Sequence, residues 1–177
     1  MSQAAAALSV APAQSNSGQL DFAGARSGEK TALSTEFISF AIGGEQYGVD
    51  IMAVREIKGW SDITPLPKQP DYVRGVLNLR GTMVPIVDLR CRFGQGLTEP
   101  DPMHVIIVVQ VDTTTVGLLA DRVLDIISVE ASTIQPVPQV SRSMRADFLA
   151  GLVTIEATMI ALIDLPHLLS AELDAAA

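Results

Sequence analysis

The chain has 177 residues, of which 48% are hydrophobic and 18% charged, so it can bury the core of one domain or of two small fused ones. One cysteine excludes an intrachain disulfide framework and a cysteine-based zinc cluster, and two histidines exclude a histidine-rich metal site. The formal net charge of −8 argues against nucleic acid as a partner.

Residues 1–34 are rich in Ala, Ser, Gly and Gln and contain few large apolar side chains. Such a segment cannot offset the entropy lost on ordering, so we predict a disordered N-terminal tail. The early apolar stretch 4–10 has no Lys or Arg before it, unlike a signal peptide. The apolar segment 105–111 is far shorter than the roughly 20 residues that span a bilayer. We therefore expect a soluble cytoplasmic protein with no direct membrane insertion.

From residue 35 onward, short segments rich in Val and Ile alternate with turn signals, and helical periodicity is weak. Four pairs of segments predict β-hairpins: 37–42 with 46–51, 73–79 with 83–89, 104–111 with 115–120, and 148–155 with 158–165. This pattern is typical of an all-β sandwich or barrel rather than of alternating strands and helices.

The two halves of the chain also match each other. Residues 75–89 (GVLNLRGTMVPIVDL) align without gaps on 151–165 (GLVTIEATMIALIDL), 47–57 on 116–126, and 63–67 (ITPLP) on 134–138 (IQPVP). The order of the segments is kept, and the offsets of 76, 69 and 71 change only in loops. We interpret this as an internal duplication that produces two similar small β-barrels.

Asp88 and Asp164 are equivalent in this alignment, and each ends a predicted strand before a short apolar stretch. We predict that both cap short helices, the second being a C-terminal helix, with paired catalytic carboxylates as the alternative. Met52, Met83 and Met159 stand at predicted strand positions and are expected to fill gaps in the core.

No catalytic constellation is recognisable along the chain, and no cofactor motif occurs. Cys91 lies between Arg90 and Arg92, two charges of the kind that lowers a thiol pKa, but no histidine partner is identifiable, so we do not interpret it as a nucleophile. Trp60 stands among polar turn residues, where it is either an exposed interface anchor or a half-buried plug of the loop. His104 and His167 are interpreted as surface or packing residues.

Four stretches of the chain resemble the CheW family of chemotaxis coupling proteins: 36–57, 63–90, 116–127 and 148–165. The most specific of these motifs is RGVLNLRGTMVPIVDLR, residues 74–90. The resemblance implies two similar five-stranded barrels of the Src-homology-3 type packed around a shared core. It implies one domain over 35–172 made of two intertwined β-barrel subdomains, with the tail 1–34 before it and a C-terminal tail 173–177 after it. Without kinase, phosphotransfer or receiver segments, the chain resembles the stand-alone adaptor.

The resemblance implies a scaffold without catalytic activity or cofactor. Such proteins couple the cytoplasmic tips of methyl-accepting chemoreceptors to the regulatory domain of the CheA histidine kinase, in arrays associated with the membrane. Val54, Glu56, Gly75 and Arg80 occupy positions that serve coupling in the family. Val54 is expected to line a groove for a receptor helix, and Gly75 to permit close backbone approach. Glu56 and Arg80 are expected to form an ion pair that sets the electrostatics of that groove, or else an ordinary surface salt bridge worth ~0–1 kcal/mol.

Two other functions remain open at this point. The same adaptor fold also serves chemosensory systems outside chemotaxis, which control type IV pili or development. The second alternative is an enzyme whose site has no recognisable motif.

Overall fold

The computed structural model describes residues 33–139 and 146–171. Within these ranges the chain forms ten strands: β1 Ser34–Ile42, β2 Glu45–Asp50, β3 Val54–Gly59, β4 Val73–Leu79, β5 Thr82–Asp88, β6 Val105–Val111, β7 Thr114–Ala120, β8 Arg122–Glu130, β9 Leu149–Ile155 and β10 Thr158–Ile163. Two short α-helices follow β5 and β10, α1 at Leu89–Arg92 and α2 at Leu165–Leu168. Single 3-10 turns lie at Ile51–Ala53, Ala131–Thr133 and Ala146–Phe148.

The predicted tails lie almost entirely outside the described residues, which exclude 1–32 and 172–177. Strand β1 begins at Ser34, the last residue assigned to the N-terminal tail from sequence.

The strands form two five-stranded sheets, as the predicted fold requires. Sheet A has the order β8-β1-β2-β10-β9, and sheet B has the order β3-β6-β7-β5-β4. Each sheet combines the first hairpin of one repeat with the last three strands of the other, so the two repeats are intertwined. Strands of different repeats meet twice in each sheet. One of these pairs is parallel, β2 with β10 in sheet A and β5 with β7 in sheet B, and the other is antiparallel, β1 with β8 and β3 with β6. Neither sheet is therefore made by one half of the chain alone.

The four predicted hairpins are confirmed: β1–β2, β4–β5, β6–β7 and β9–β10 all pair antiparallel. The strands without a hairpin signal are β3 and β8, which pair with β6 and β1 across the repeats. Both lie at sheet edges; β3 exposes alternate side chains, whereas most side chains of β8 are exposed. Their equivalence follows the alignment of 47–57 on 116–126.

Three apolar clusters hold the sheets together. The largest takes fully buried side chains from both sheets, including Phe40 and Val49 of sheet A and Val87, Ile107 and Leu118 of sheet B. A smaller cluster of sheet A contains Phe37, Val153 and Leu162, and one of sheet B contains Leu77, Ile86 and Ile106. This arrangement of one shared and two separate cores matches a duplicated pair of barrels.

The capping prediction for the two aspartates is confirmed. Asp88 accepts a hydrogen bond from the Cys91 amide of α1 (3.2 Å), and Asp164 accepts one from the His167 amide of α2 (3.1 Å). Asp88 is fully buried and also accepts from the backbone (2.8 Å) and hydroxyl (2.6 Å) of Thr98. It thereby anchors the segment that connects the two repeats.

The prediction for the methionines was wrong. Met52, Met83 and Met159 expose 80%, 56% and 62% of their surface. In β5 and β10 the two-residue period of a strand turns Val84 and Ile160 inward, so the preceding methionine faces out.

Candidate functional site

A tight turn joins β4 to β5 and presents one of the residues singled out from sequence. Leu79 pairs with Thr82, which leaves Arg80 and Gly81 as a two-residue turn with φ values of +51° and +88°. Positive φ at both central positions is the geometry of the type I′ turn that suits hairpins. The side chain of Asn78 accepts a hydrogen bond from the Gly81 amide at 2.8 Å. The backbone at Arg80 is therefore held in one conformation.

The ion pair expected between Arg80 and Glu56 is confirmed. Arg80 Nη2 donates to Glu56 Oε2 at 2.8 Å, which joins the β4–β5 turn to the edge strand β3. The Arg80 side chain is 81% exposed and that of Glu56 28% exposed. An ion pair with so much solvent around it contributes at most ~1 kcal/mol to folding.

The pair lines an open groove of about 270 Å³ on sheet B, which we call the arginine groove. Arg55 also lines it, and so do the buried apolar residues Val84 and Val108. Arg55 Nε donates to Gln110 Oε1 at 2.9 Å. The groove therefore combines an apolar base with two guanidinium groups and one carboxylate.

The other two predicted site residues lie outside this lining. Val54 is half-buried against the shared core and pairs with Val109 of β6. Its counterpart in the alignment, Val123, packs against the same core. Its expected role in lining a helix-accepting groove stays a prediction.

Gly75 makes the close backbone approach that was expected. Its φ is +139°, and a Cβ at this position would overlap the carbonyl oxygen of Thr64. The approach lets Thr64 and Val76 exchange two backbone hydrogen bonds, of 2.9 and 2.8 Å. Gly151 repeats the arrangement in sheet A, where a Cβ would lie 2.5 Å from Ile134. Gly75 therefore has a packing role that both repeats share.

The arginine groove itself is not repeated in sheet A. The alignment places Leu124 at the position of Arg55, Asp125 at that of Glu56 and Glu156 at that of Arg80. Glu156 occupies the β9–β10 turn with a φ of +46°, close to the value at Arg80. The fold therefore forms the same turn with either charge.

A second charged cluster, around Asp121, was not predicted from the sequence. Both oxygens of Asp121 accept from Arg90 Nη2, at 2.8 and 2.6 Å, and one accepts from the Gly43 amide at 2.7 Å. Burial alone would raise the pKa of Asp121, but the hydrogen bonds from Arg90 and Gly43 and the charges of Arg90 and His104 together lower it. No local pattern indicated this cluster, because Arg90 and Asp121 are 31 residues apart.

The pKa of the Cys91 thiol is raised, not lowered as its two arginine neighbours in the sequence indicated. Burial raises the pKa of its thiol, and the negative charges of Asp88 and Asp71 raise it further. Its neighbours are engaged elsewhere: Arg90 pairs with Asp121, and the guanidinium of Arg92 lies over the ring of Tyr72 at 4.0 Å.

Trp60 is half-buried and packs against the sheet B cluster. It is therefore the plug of its loop rather than an exposed interface anchor.

A larger groove of about 610 Å³ runs along sheet A, and we call it the sheet A groove. Its lining includes Leu149, Leu152, Ala161 and the exposed Met159. It was not anticipated from sequence, because Met159 was assigned to the core.

A family model described as the CheW-like domain matches residues 36–173. The chain belongs to this family. It is 46% identical over 137 residues to the chemotaxis protein CheW of Rhizobium meliloti, covering 77% of this chain and 88% of that protein. It is 39% identical over 140 residues to the chemotaxis protein CheW of Klebsiella aerogenes, covering 79% and 84% of the two chains.

The crystal structure of the scaffolding protein TtCheW from Thermoanaerobacter tengcongensis has the same fold. It superposes with a TM-score of 0.69 at 32% identity, over 75% of this chain and 86% of that one. These relatives identify the chain as a CheW-type chemotaxis adaptor, and they favour chemotaxis over the other chemosensory systems considered above.

Over 33–139 and 146–171, no group of three or more His, Cys, Asp or Glu side chains is arranged to hold a metal ion. No helix within the described part of the chain is long and apolar enough to cross a membrane.

Proposed function

We propose that this chain couples the cytoplasmic tips of methyl-accepting chemoreceptors to the regulatory domain of the CheA kinase, in arrays that assemble at the membrane. Val54, Glu56, Gly75 and Arg80 are the proposed coupling residues. The observation that carries the proposal is the exposed Arg80–Glu56 pair at the rim of the arginine groove. Both residues stand at the positions that the family resemblance links to coupling, and because the pair adds so little to folding, substituting it tests coupling without unfolding the chain.

The composition of the arginine groove supports a helix as its occupant. A chemoreceptor tip presents helices, and an amphipathic helix docks by laying apolar side chains into a groove while its flanking polar residues meet the rim. Val84 and Val108 supply the apolar base, and Glu56 and Arg80 supply the polar rim. The receptor is therefore assigned to this groove.

A second surface is needed if receptor and kinase bind together. The sheet A groove lies on the other sheet and shares no lining residue with the arginine groove. Its apolar lining supports contact with another folded domain, and we assign the kinase regulatory domain to sheet A. Two surfaces on two sheets allow both partners to be held at once.

The decisive experiment mixes the full chain with a chemoreceptor tip fragment and the CheA regulatory domain from the same cell, and separates the complexes by size. We expect a ternary complex, and binary complexes when either partner is omitted. The variant Arg122→Asp serves as a control, because Arg122 is exposed on β8 and lines neither groove. Competition between receptor and kinase, with no ternary species, would contradict the coupling proposal.

A further inference from the structure

Arg55 is a charged residue of the arginine groove to which the family resemblance assigned no role. It follows Val54 on β3 at an irregularity in the pairing with β6, where the register shifts between Val54 and Glu56. Its side chain is held by the hydrogen bond from Nε to Gln110 Oε1, at 2.9 Å. Among the described residues Arg55 makes no further polar side-chain contact, so its terminal nitrogens remain available to a ligand.

The charges that line the groove do not cancel. Two guanidinium groups, from Arg55 and Arg80, accompany a single carboxylate, from Glu56. Within the part of the chain that the structure describes, Glu56 Oε2 accepts a side-chain hydrogen bond from Arg80 Nη2 alone, and the 81% exposure of Arg80 leaves its other donors facing solvent. The lining therefore carries one positive charge in excess, on donors whose planar geometry suits a carboxylate.

We propose that Arg55 and Arg80 together bind one carboxylate of the docked helix, and that Arg55 thereby selects partners with an acidic residue at the border of their apolar stripe. This inference rests on the proposed function, because it assumes that a helix occupies the arginine groove. Glu56 has a positioning role, since it orients Arg80 without neutralising both arginines.

The second repeat shows that folding does not require these cations. Leu124 stands where the alignment places Arg55, on the equivalent edge strand β8, and it is 38% exposed. Asp125 and Glu156 stand at the other two positions, so the equivalent part of sheet A is acidic. An acidic helix would be attracted to sheet B and repelled from sheet A, which gives the pseudo-symmetric domain one correct docking face.

The test measures the affinity of the full chain for a chemoreceptor tip fragment at low and high salt. Arg55→Leu copies the residue of the second repeat, so the strand tolerates it. We expect Arg55→Leu to weaken binding about twofold to fivefold at low salt, as for the loss of one rim ion pair. We also expect the affinity of this variant to fall less steeply with salt than that of the unmodified chain. Arg122→Leu, the same change on exposed β8, is expected to bind normally.

A charge exchange identifies the partner residue. Arg55→Glu is expected to weaken binding more than Arg55→Leu, and one Glu→Lys or Asp→Lys change in the tip fragment should restore the affinity of Arg55→Glu. Equal affinity and equal salt dependence of the Arg55 variants and the unmodified chain would overturn the inference while leaving the coupling function intact. Absence of binding by the unmodified chain would instead refute the proposed function. Melting temperatures of all variants show whether any loss of affinity arises from unfolding.

Discussion

Arg80 and Glu156 occupy the same position in two equivalent hairpin turns, with backbone φ values of +51° and +46°, but carry opposite charges. The backbone conformation is set by the two-residue turn and not by the side chain. Arg80 reaches Glu56 at 2.8 Å, whereas the counterpart of Glu56 is Asp125, a residue of the same sign as Glu156. The turn is thus a shared architectural feature, and the charge on it distinguishes the two sheets.

Arg80→Asp tests the role of this charge. Because Arg80 is 81% exposed and aspartate tolerates positive φ, we expect the free energy of unfolding to fall by no more than about 1 kcal/mol. Receptor-stimulated kinase activity should fall strongly, since the variant places two carboxylates at the groove. Thermal unfolding and kinase activation are measured on the same sample, with Arg122→Asp as the control. Normal activation would remove Arg80 from the site, and global unfolding would assign it to the fold.

Gly75→Ala tests the packing role of that glycine. An alanine would be strained at a φ of +139° and would overlap the Thr64 carbonyl, so we expect a loss of about 3 kcal/mol or more in the free energy of unfolding. Gly59→Ala is the matched control, because nothing lies within 4 Å of its added Cβ. Denaturant titration of both variants gives the comparison. A fully stable Gly75→Ala variant that fails to couple would show that the glycine acts at the partner interface instead.

Ala157→Gly is expected to stabilise the chain. Ala157 has a φ of +66°, and the equivalent residue of the other repeat is Gly81, with a φ of +88°. Relief of left-handed strain exceeds the entropy that a glycine adds to the unfolded chain, for a net gain of about 0.5 kcal/mol. The melting temperature should rise slightly. Ala150→Gly, in the extended strand β9, should lower it, and a decrease for both variants would contradict the strain argument.

Asp121→Asn tests the cluster that joins Asp121 to Arg90 and the Gly43 amide. We expect the variant to lose about 2 kcal/mol at neutral pH, because a half-buried charged hydrogen bond is weakened. The folded-state pKa of Asp121 is lowered from its ordinary value of 3.8, so its contribution is present above that pH. It disappears as the pH falls through the lowered pKa.

The free-energy difference between Asp121→Asn and the unmodified chain should therefore shrink only below about pH 4. Unfolding measured at a series of pH values checks this dependence. The control is Asp112→Asn, in the exposed turn between β6 and β7, which should match the unmodified chain throughout. If the free-energy difference between the two chains stayed constant down to the lowest pH at which both are folded, the carboxylate charge of Asp121 would not contribute to stability.

Local chemistry was sufficient to predict the hairpins and the helix caps. A two-residue strand period that ends at a turn signal, as at Gly43-Gly44 or Gly81-Thr82, specifies antiparallel pairing between neighbouring segments, although the second turn lies one residue earlier than predicted, at Arg80-Gly81. Asp88 and Asp164 were assigned as caps because a carboxylate needs only the amide three residues later. The duplication was likewise evident from sequence, and it brought the edge strand β8 into line with β3.

Tertiary structure decided how the repeats combine and which side chains face out. The pairing of β1 with β8 and of β3 with β6 joins segments far apart in the chain, and the sequence contains no turn that specifies such a partner. Met83 and Met159 are exposed because their neighbours in the strand face the core. A one-residue change in the register of the sheet would place the methionines inside instead. Arg55, Glu56 and Arg80 line one groove only after β3 and the β4–β5 turn meet on sheet B. Short-range turn and capping chemistry is encoded locally, whereas a binding groove forms only when burial of the shared core brings distant strands together.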